Sequence, residues 1–255
     1  MDLGVAVDPQ RALAQHRALH RALSASLPTV AFPGDPAMPD GLFPNNVFGT
    51  TAGRYVVGRM RHGVRQREAT RADIRGFFGD VLGYREVDLS RQENVCELTG
   101  ALVIDRARGL GFCGLSERCD EAGARLMHDA FGLRATLMFD LADGEYHTNV
   151  VLSVLASRAV VVAPSGFRNA AVPEAIAGFY GGRAIRLSET QKGEYAGNCI
   201  ALTDNCVFLS QRALDSLDCA QHAQFTDYGF ELKPVALPML ERAGGSLRCC
   251  VGEIF

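Results

Sequence analysis

Between Pro9 and Ser26, Leu13, His16, Leu19 and Leu23 recur at three- and four-residue spacing. That period predicts an amphipathic helix, with Arg11, Arg17 and Arg21 on its solvated face. Thr29–Phe32 is a short strand candidate. Pro36 to Phe48 is dense in proline, glycine, aspartate and asparagine, which predicts a loop, and its threaded Leu and Phe predict a packed one. Arg54–Met60 reads as a strand, and Thr70 with Asp73 three residues on reads as the N-cap of a helix. Apolar runs predict strands at Cys96–Asp105, Gly109–Cys113, Arg134–Phe139, Thr148–Ala156, Ala159–Ala163, Cys199–Thr203 and Val207–Ser210. Helical periods fall at Asp120–Phe131, at Pro173–Tyr180 before Gly181-Gly182, and at Gln211–Leu217. The last residues, from Cys250 to Phe255, read as a short strand behind a glycine pair, Gly244-Gly245.

A strand-strand-helix-strand unit thus recurs at roughly fifty residues, a period found in repeat architectures. The fold class is α/β. A unit that cannot bury its own face alone favours a closed ring or propeller of units over a mixed sandwich. No linker interrupts the pattern, so residues 1–255 are expected to form one domain.

Composition narrows the function. A formal charge of -3 offers no field for a polyanion, which argues against nucleic acid as a partner. No apolar run reaches the ~20 residues of a membrane span. Met1-Asp2-Leu3-Gly4 does not open a secretory signal, so a cytoplasmic location is expected. The eight cysteines contain no C-x-x-C pair, so neither a zinc site nor a disulfide framework is favoured.

Three polar clusters sit where the pattern predicts strand ends. They carry Glu97, His147 and Cys249, which together are the parts of a cysteine nucleophile with its base and orienter. Arg248, beside Cys249, is a cation that would favour a thiolate. Each cluster also has a plainer reading: a solvated strand end, an edge histidine, and a core cysteine.

At these residues the chain resembles the guanidine-modifying enzymes of the pentein fold, in particular the branch of citrulline-utilisation hydrolases, alongside arginine deiminases and dimethylarginine dimethylaminohydrolases. The matching segments are Asp40-Gly41-Leu42-Phe43-Pro44-Asn45-Asn46, Glu97-Leu98-Thr99-Gly100, Leu115-Ser116-Glu117-Arg118, His147-Thr148-Asn149-Val150 and Gly244 to Phe255, in order along the chain. The resemblance implies a five-module α/β propeller, here with a first module trimmed by the short Met1–Val7 segment. It implies Cys249 as nucleophile, His147 as acid and base, and Glu97 as the acidic residue that holds the guanidinium or orients the histidine. Asp40, Asn46, Arg65, Arg118 and Asn149 would line the substrate. The pattern departs at Leu98, where relatives have glycine, and at Asn46, where many have aspartate, so the pocket is less acidic than that of a deiminase. The implied activity is hydrolysis of arginine or an Nω-substituted arginine through a thiouronium, without metal or cofactor. A dihydrolase giving ornithine, an amidinotransferase, and a non-catalytic guanidine binder are the alternatives. The partner is a small guanidino substrate, and a homodimer is compatible with the resemblance.

Overall fold

The structure, a computed structural model, describes residues 7–255. The expectation of a trimmed first module at Met1–Val7 falls, Val7 apart, outside the described residues.

Four three-stranded sheets share one topology. In each, a hairpin is joined by a third strand that runs parallel to the hairpin's second strand. The first contains β1 (Phe48–Thr51), β2 (Arg54–Val57) and β3 (Arg85–Asp88). The second contains β4 (Leu102–Asp105), β5 (Leu110–Leu115) and β6 (Ala135–Asp140). The third contains β7 (Leu152–Leu155), β8 (Ala159–Val162) and β9 (Ala184–Arg186). The fourth contains β10 (Ile200–Ala201), β11 (Cys206–Ser210) and β12 (Glu231–Val235). A parallel partner needs a crossover, and helices supply it: Glu121–Phe131 leads to β6, Ala171–Phe179 to β9, and Cys219–Asp227 to β12.

The predicted repeat is therefore present four times. Among the described residues no fifth sheet of this kind forms and no sheet closes on itself. The helix Glu121–Phe131 shows why the local pattern was readable. Asp120 caps it by accepting from the Gly123 amide, Ala124, Met127, Ala130 and Phe131 face the core, and Gly132 ends it at φ +65°. The three valines of β8 are fully buried, each contributing about 1.5–3 kcal/mol of transfer free energy.

Several expectations are corrected. Thr29–Phe32 forms no strand. Thr70 ends a 3₁₀ turn and donates to the Arg67 carbonyl, while Arg71 precedes the helix Ala72–Gly76 without a side-chain cap. The N-terminal helix runs Pro9–Ser24 and buries Leu19 and Leu23, but Leu13 is exposed. The runs Cys96–Asp105 and Thr148–Ala156 each begin with one helical turn, Leu98–Ala101 and Thr148–Val151, before the strand starts. The segment after Cys250 is extended but joins no ladder. Instead Thr50 grips it, its hydroxyl donating to the Glu253 carbonyl (2.8 Å) and accepting from the Phe255 amide (3.1 Å).

The units are stitched together near their starts. Thr99 Oγ1 donates to the Asn45 carbonyl, Asn149 Nδ2 to that of Thr99, and Asn198 Nδ2 to that of Asn149. The Arg248 amide then donates to the Asn198 carbonyl. Partners in this belt lie about fifty residues apart, so it brings the start of every unit into one neighbourhood. Among the described residues no helix is long and apolar enough to cross a membrane.

Candidate active site

Glu97 and His147 are the residues immediately before the helical turns Leu98–Ala101 and Thr148–Val151. Cys249 lies in the turn Leu247–Cys250 and Asn46 in Pro44–Asn46. The turns aim these side chains inward, which is why Glu97, His147 and Cys249 are at most 2% exposed. The solvated-end and edge readings of Glu97 and His147 are thereby excluded.

His147 Nε2 lies 2.8 Å from Glu97 Oε2. An ionised carboxylate accepts, so Nε2 carries the proton and the neutral ring keeps its lone pair on Nδ1. Burial opposes charge on Glu97, but the His147 bond, the Arg118 guanidinium and the Arg61 amide outweigh it and hold its pKa at about 2. Burial likewise lowers the His147 pKa, and the carboxylate only partly offsets this. At neutral pH the pair thus carries one negative charge, on Glu97. Arg118 reaches both Glu97 oxygens at 3.4 Å and also binds Glu117.

Gly100 is required by a close approach. A Cβ there would stand 2.4 Å from Asn46 Oδ1 and 3.0 Å from His147 Nδ1. The Asn46 amide oxygen and the free imidazole nitrogen therefore share one spot. Asn46 Oδ1 is buried and accepts no hydrogen bond.

The Cys249 thiol lies 3.3 Å from Asn198 Nδ2 and 3.8 Å from Asn149 Oδ1. Burial raises its pKa, against the lowering effect of the Asn198 hydrogen bond, the Ser246 backbone and the Arg248 charge. The Arg248 charge acts in the expected direction, favouring a thiolate, but its guanidinium is also bound to the Val251 carbonyl and Glu253, and burial outweighs it. The resting group is the thiol. The apolar face of the site comes from Phe43, whose ring would meet a Cβ on Gly245, beside Cys249 Cβ. The Tyr146 ring lies 5.0 Å from the His147 ring, and its hydroxyl donates to the Gly244 carbonyl at 2.7 Å.

Arg65 is buried and paired with Glu68 through Nε (2.9 Å) and Nη2 (2.8 Å). Nη2 also donates to the carbonyls of Phe43 and Asp40. Arg65 thus fastens the Asp40–Asn46 loop, leaving only Nη1 for another group. Asp40 is half-buried in that loop. The structure brings Glu97, His147, Asn46 and Arg118 together, and Cys249 with Asn149.

One residue of this centre was missed in the sequence: Asn198, fully buried against the thiol. Its signal was position. Asn46, Glu97, His147, Asn198 and Cys249 follow one another at intervals of 51, 50, 51 and 51 residues. Among the described residues no three His, Cys, Asp or Glu side chains gather as a metal site. A separate cavity of about 480 Å³ is lined by Arg59, Gln66, Arg75 and Arg91 and by none of the residues of this centre.

Known structures with this fold include the N-terminal domain of ArgZ covalently bound to a reaction intermediate. The two chains share 18% identity with a TM-score of 0.86, over 98% of this chain and 88% of that one. AgrE in complex with L-arginine matches at 20% identity and TM-score 0.84, covering 96% of this chain and 35% of AgrE. A dimethylarginine dimethylaminohydrolase carrying an adduct with S-methyl-L-thiocitrulline matches at 19% identity and TM-score 0.77, over 96% of this chain and 89% of that one. No curated protein matches the chain. The family model described as N,N dimethylarginine dimethylhydrolase, eukaryotic, matches residues 2–255. The chain belongs to this family and is a pentein-fold hydrolase acting on guanidino C–N bonds.

Proposed function

We propose that the protein hydrolyses the guanidinium group of arginine or an Nω-substituted arginine through a thiouronium on Cys249, releasing ammonia or an amine and a ureido product such as citrulline. The observation that carries this reading is a buried Glu97–His147 pair and a buried thiol at the starts of their units, joined by the belt of hydrogen bonds through Thr99, Asn149, Asn198 and Arg248. The solved relatives support the substrate class, since they bind arginine or an arginine analogue.

A buried thiol with a raised pKa ionises when a cation arrives beside it, and a guanidinium is that cation. The thiolate sulfur bonds to the guanidinium carbon, giving a tetrahedral adduct. One C–N bond breaks, and the departing nitrogen takes the proton that His147 received from the thiol. Water then adds to the thiouronium carbon and gives a proton to His147. The C–S bond breaks, the carbon keeps the oxygen as a carbonyl, and the sulfur takes the proton from His147, which restores the thiol. The hydroxyl proton leaves to the released ammonia or amine. Glu97 keeps the imidazole oriented and stabilises it when charged. Asn46 Oδ1, left without a donor in the protein, accepts from a guanidinium N–H. Arg118 and Nη1 of Arg65 face the substrate carboxylate, Asp40 its amino group, and Asn149 the reacting carbon beside the sulfur.

In this reading residues 1–255 form one domain of five units, the fifth built from the C-terminal segment and the N-terminal helix. The eight cysteines are free thiols, which suits a cytoplasmic setting.

One observation favours a second reading, the dihydrolase that yields ornithine. The centre has one carboxylate and three amides, Asn46, Asn149 and Asn198. Neutral amides can hold a neutral ureido group, which carboxylates select against, so the first product could stay for a second hydrolysis.

Mass spectrometry after incubation with arginine, or with Nω,Nω-dimethylarginine, tests both readings, with Cys249→Ser as control. Citrulline that accumulates only with intact Cys249 supports the first. Ornithine without citrulline supports the second. Product from neither substrate overturns both.

A further inference from the structure

We infer that Asn198 is a positioning residue for the nucleophile and a contact for the substrate. This rests on the proposed use of Cys249, and it assigns a role to a residue outside the Glu97, His147 and Cys249 constellation.

Three observations converge on it. Asn198 is fully buried, and it occupies the one start-of-unit position between His147 and Cys249 at the fifty-residue interval. Its Nδ2 donates toward Cys249 Sγ at 3.3 Å and to the Asn149 carbonyl at 2.9 Å. Its Oδ1 is buried and accepts nothing. A buried amide with a satisfied donor and an orphaned acceptor is costly unless a ligand supplies the missing hydrogen. A guanidinium supplies several.

The backbone around Asn198 is held accordingly. The Asn198 amide donates to the carbonyl of Tyr195, which stands at φ +60°, a conformation that L side chains rarely adopt. The Asn198 carbonyl accepts from the Arg248 amide, one residue before the thiol. The side chain and its own backbone therefore grip the nucleophile's turn from one point. As the sulfur gains charge, an N–H already aimed at it is worth more than one that must reorient. At the same time Oδ1, fixed on the same amide, receives an N–H of the carbon under attack. Asn46 Oδ1 offers the matching acceptor on the His147 side.

The test separates this role from mere packing. Iodoacetamide modification of Cys249, followed by peptide mass mapping across pH, reads the thiol without substrate and so does not depend on which guanidine is turned over. Asn198→Ala should raise the modification midpoint by about one pH unit. Asn198→Asp, of the same shape, should raise it further, because it removes the donor and adds a negative charge. In turnover, Asn198→Asp keeps an acceptor, so its loss should lie mainly in kcat. Asn198→Ala should lose about tenfold or more in both kcat and 1/KM. Thr99→Val cuts another bond of the same belt and should leave the midpoint where it is. An unchanged midpoint in Asn198→Asp overturns the inference, as does an equal shift in Thr99→Val.

Discussion

Two buried acid–base pairs stand close together in this molecule, and they are finished differently. In Arg65–Glu68 the carboxylate takes both Nε and Nη2, and two loop carbonyls take what remains of Nη2. In His147–Glu97 one imidazole nitrogen is bound and the other is left facing the unpartnered oxygen of Asn46. The electrostatics follow. Burial dominates at Glu68 and raises its pKa, whereas Glu97, fed by three donors, stays ionised down to about 2. A pair that satisfies itself holds structure. A pair that leaves an acceptor open at a buried centre is ready for chemistry.

The sharpest way to break this contrast is to neutralise each acid in turn. Glu97→Gln should lower kcat by roughly 10³-fold, because an amide donor facing Nε2 favours the tautomer without a lone pair on Nδ1. Its melting temperature should move less, since Arg118 is partly solvated. Glu68→Gln should do the reverse. It leaves a buried guanidinium without its counter-charge, costing roughly 3–5 kcal/mol of stability in a denaturant titration. Its residual activity should show a raised KM, because the Asp40–Asn46 loop loosens while His147 and Glu97 are untouched. If Glu68→Gln instead lost kcat alone at unchanged stability, the assignment of Arg65 to the loop would be wrong.

Gly100→Ala probes the same spot sterically. A methyl 2.4 Å from Asn46 Oδ1 must push either the amide or the imidazole aside. Activity should fall by about 10²-fold with a stability cost of about 1–3 kcal/mol, read by kinetics and thermal melting.

The pH dependence should be gentler. In the proposed mechanism the competent enzyme has neutral His147 and a protonated thiol, together holding the one proton that moves. The kcat/KM profile should therefore be flat between an acid limb below 6.5 and a basic limb above 9. Stability follows the same groups. His147 is buried neutral with its pKa lowered, so the unfolded chain binds a proton first and stability declines as pH falls through 6.5. The Glu97 contribution is complete above 4.5 and is lost as pH falls toward about 2, roughly 3 kcal/mol in all. A melting temperature flat from pH 7 down to 3 would contradict both.

Much of this architecture was legible in the sequence, for identifiable reasons. Three of the four hairpins announced themselves by paired apolar runs across short polar or glycine turns, and the helix Glu121–Phe131 by its cap, period and terminal glycine. In the first hairpin only the second strand did, because Phe48–Thr51 follows directly on a loop dense in proline and asparagine and carries no long apolar run. The turns Leu98–Ala101 and Thr148–Val151 did not, because four buried residues have no period that separates a helical turn from a strand. The tail read as a strand because its partner is a threonine side chain rather than a ladder. In the site, Glu97, His147 and Cys249 were readable as chemistry-bearing types. Arg65 was readable as a cation, but its internal partner three residues on was not weighed. Asn198 was passed over because an asparagine after glycine reads locally as a turn, and only the long interval marks it.

The central claim is that Cys249 becomes covalently bound to the guanidino carbon during turnover. Acid quenching of the enzyme during steady-state hydrolysis of arginine or Nω,Nω-dimethylarginine, followed by peptide mass mapping, tests it directly. The account predicts a fraction of the Cys249 peptide heavier by the substrate minus the departed ammonia or amine, and no such species in Cys249→Ser. Turnover with an unmodified Cys249 peptide, persisting in Cys249→Ser, would contradict it.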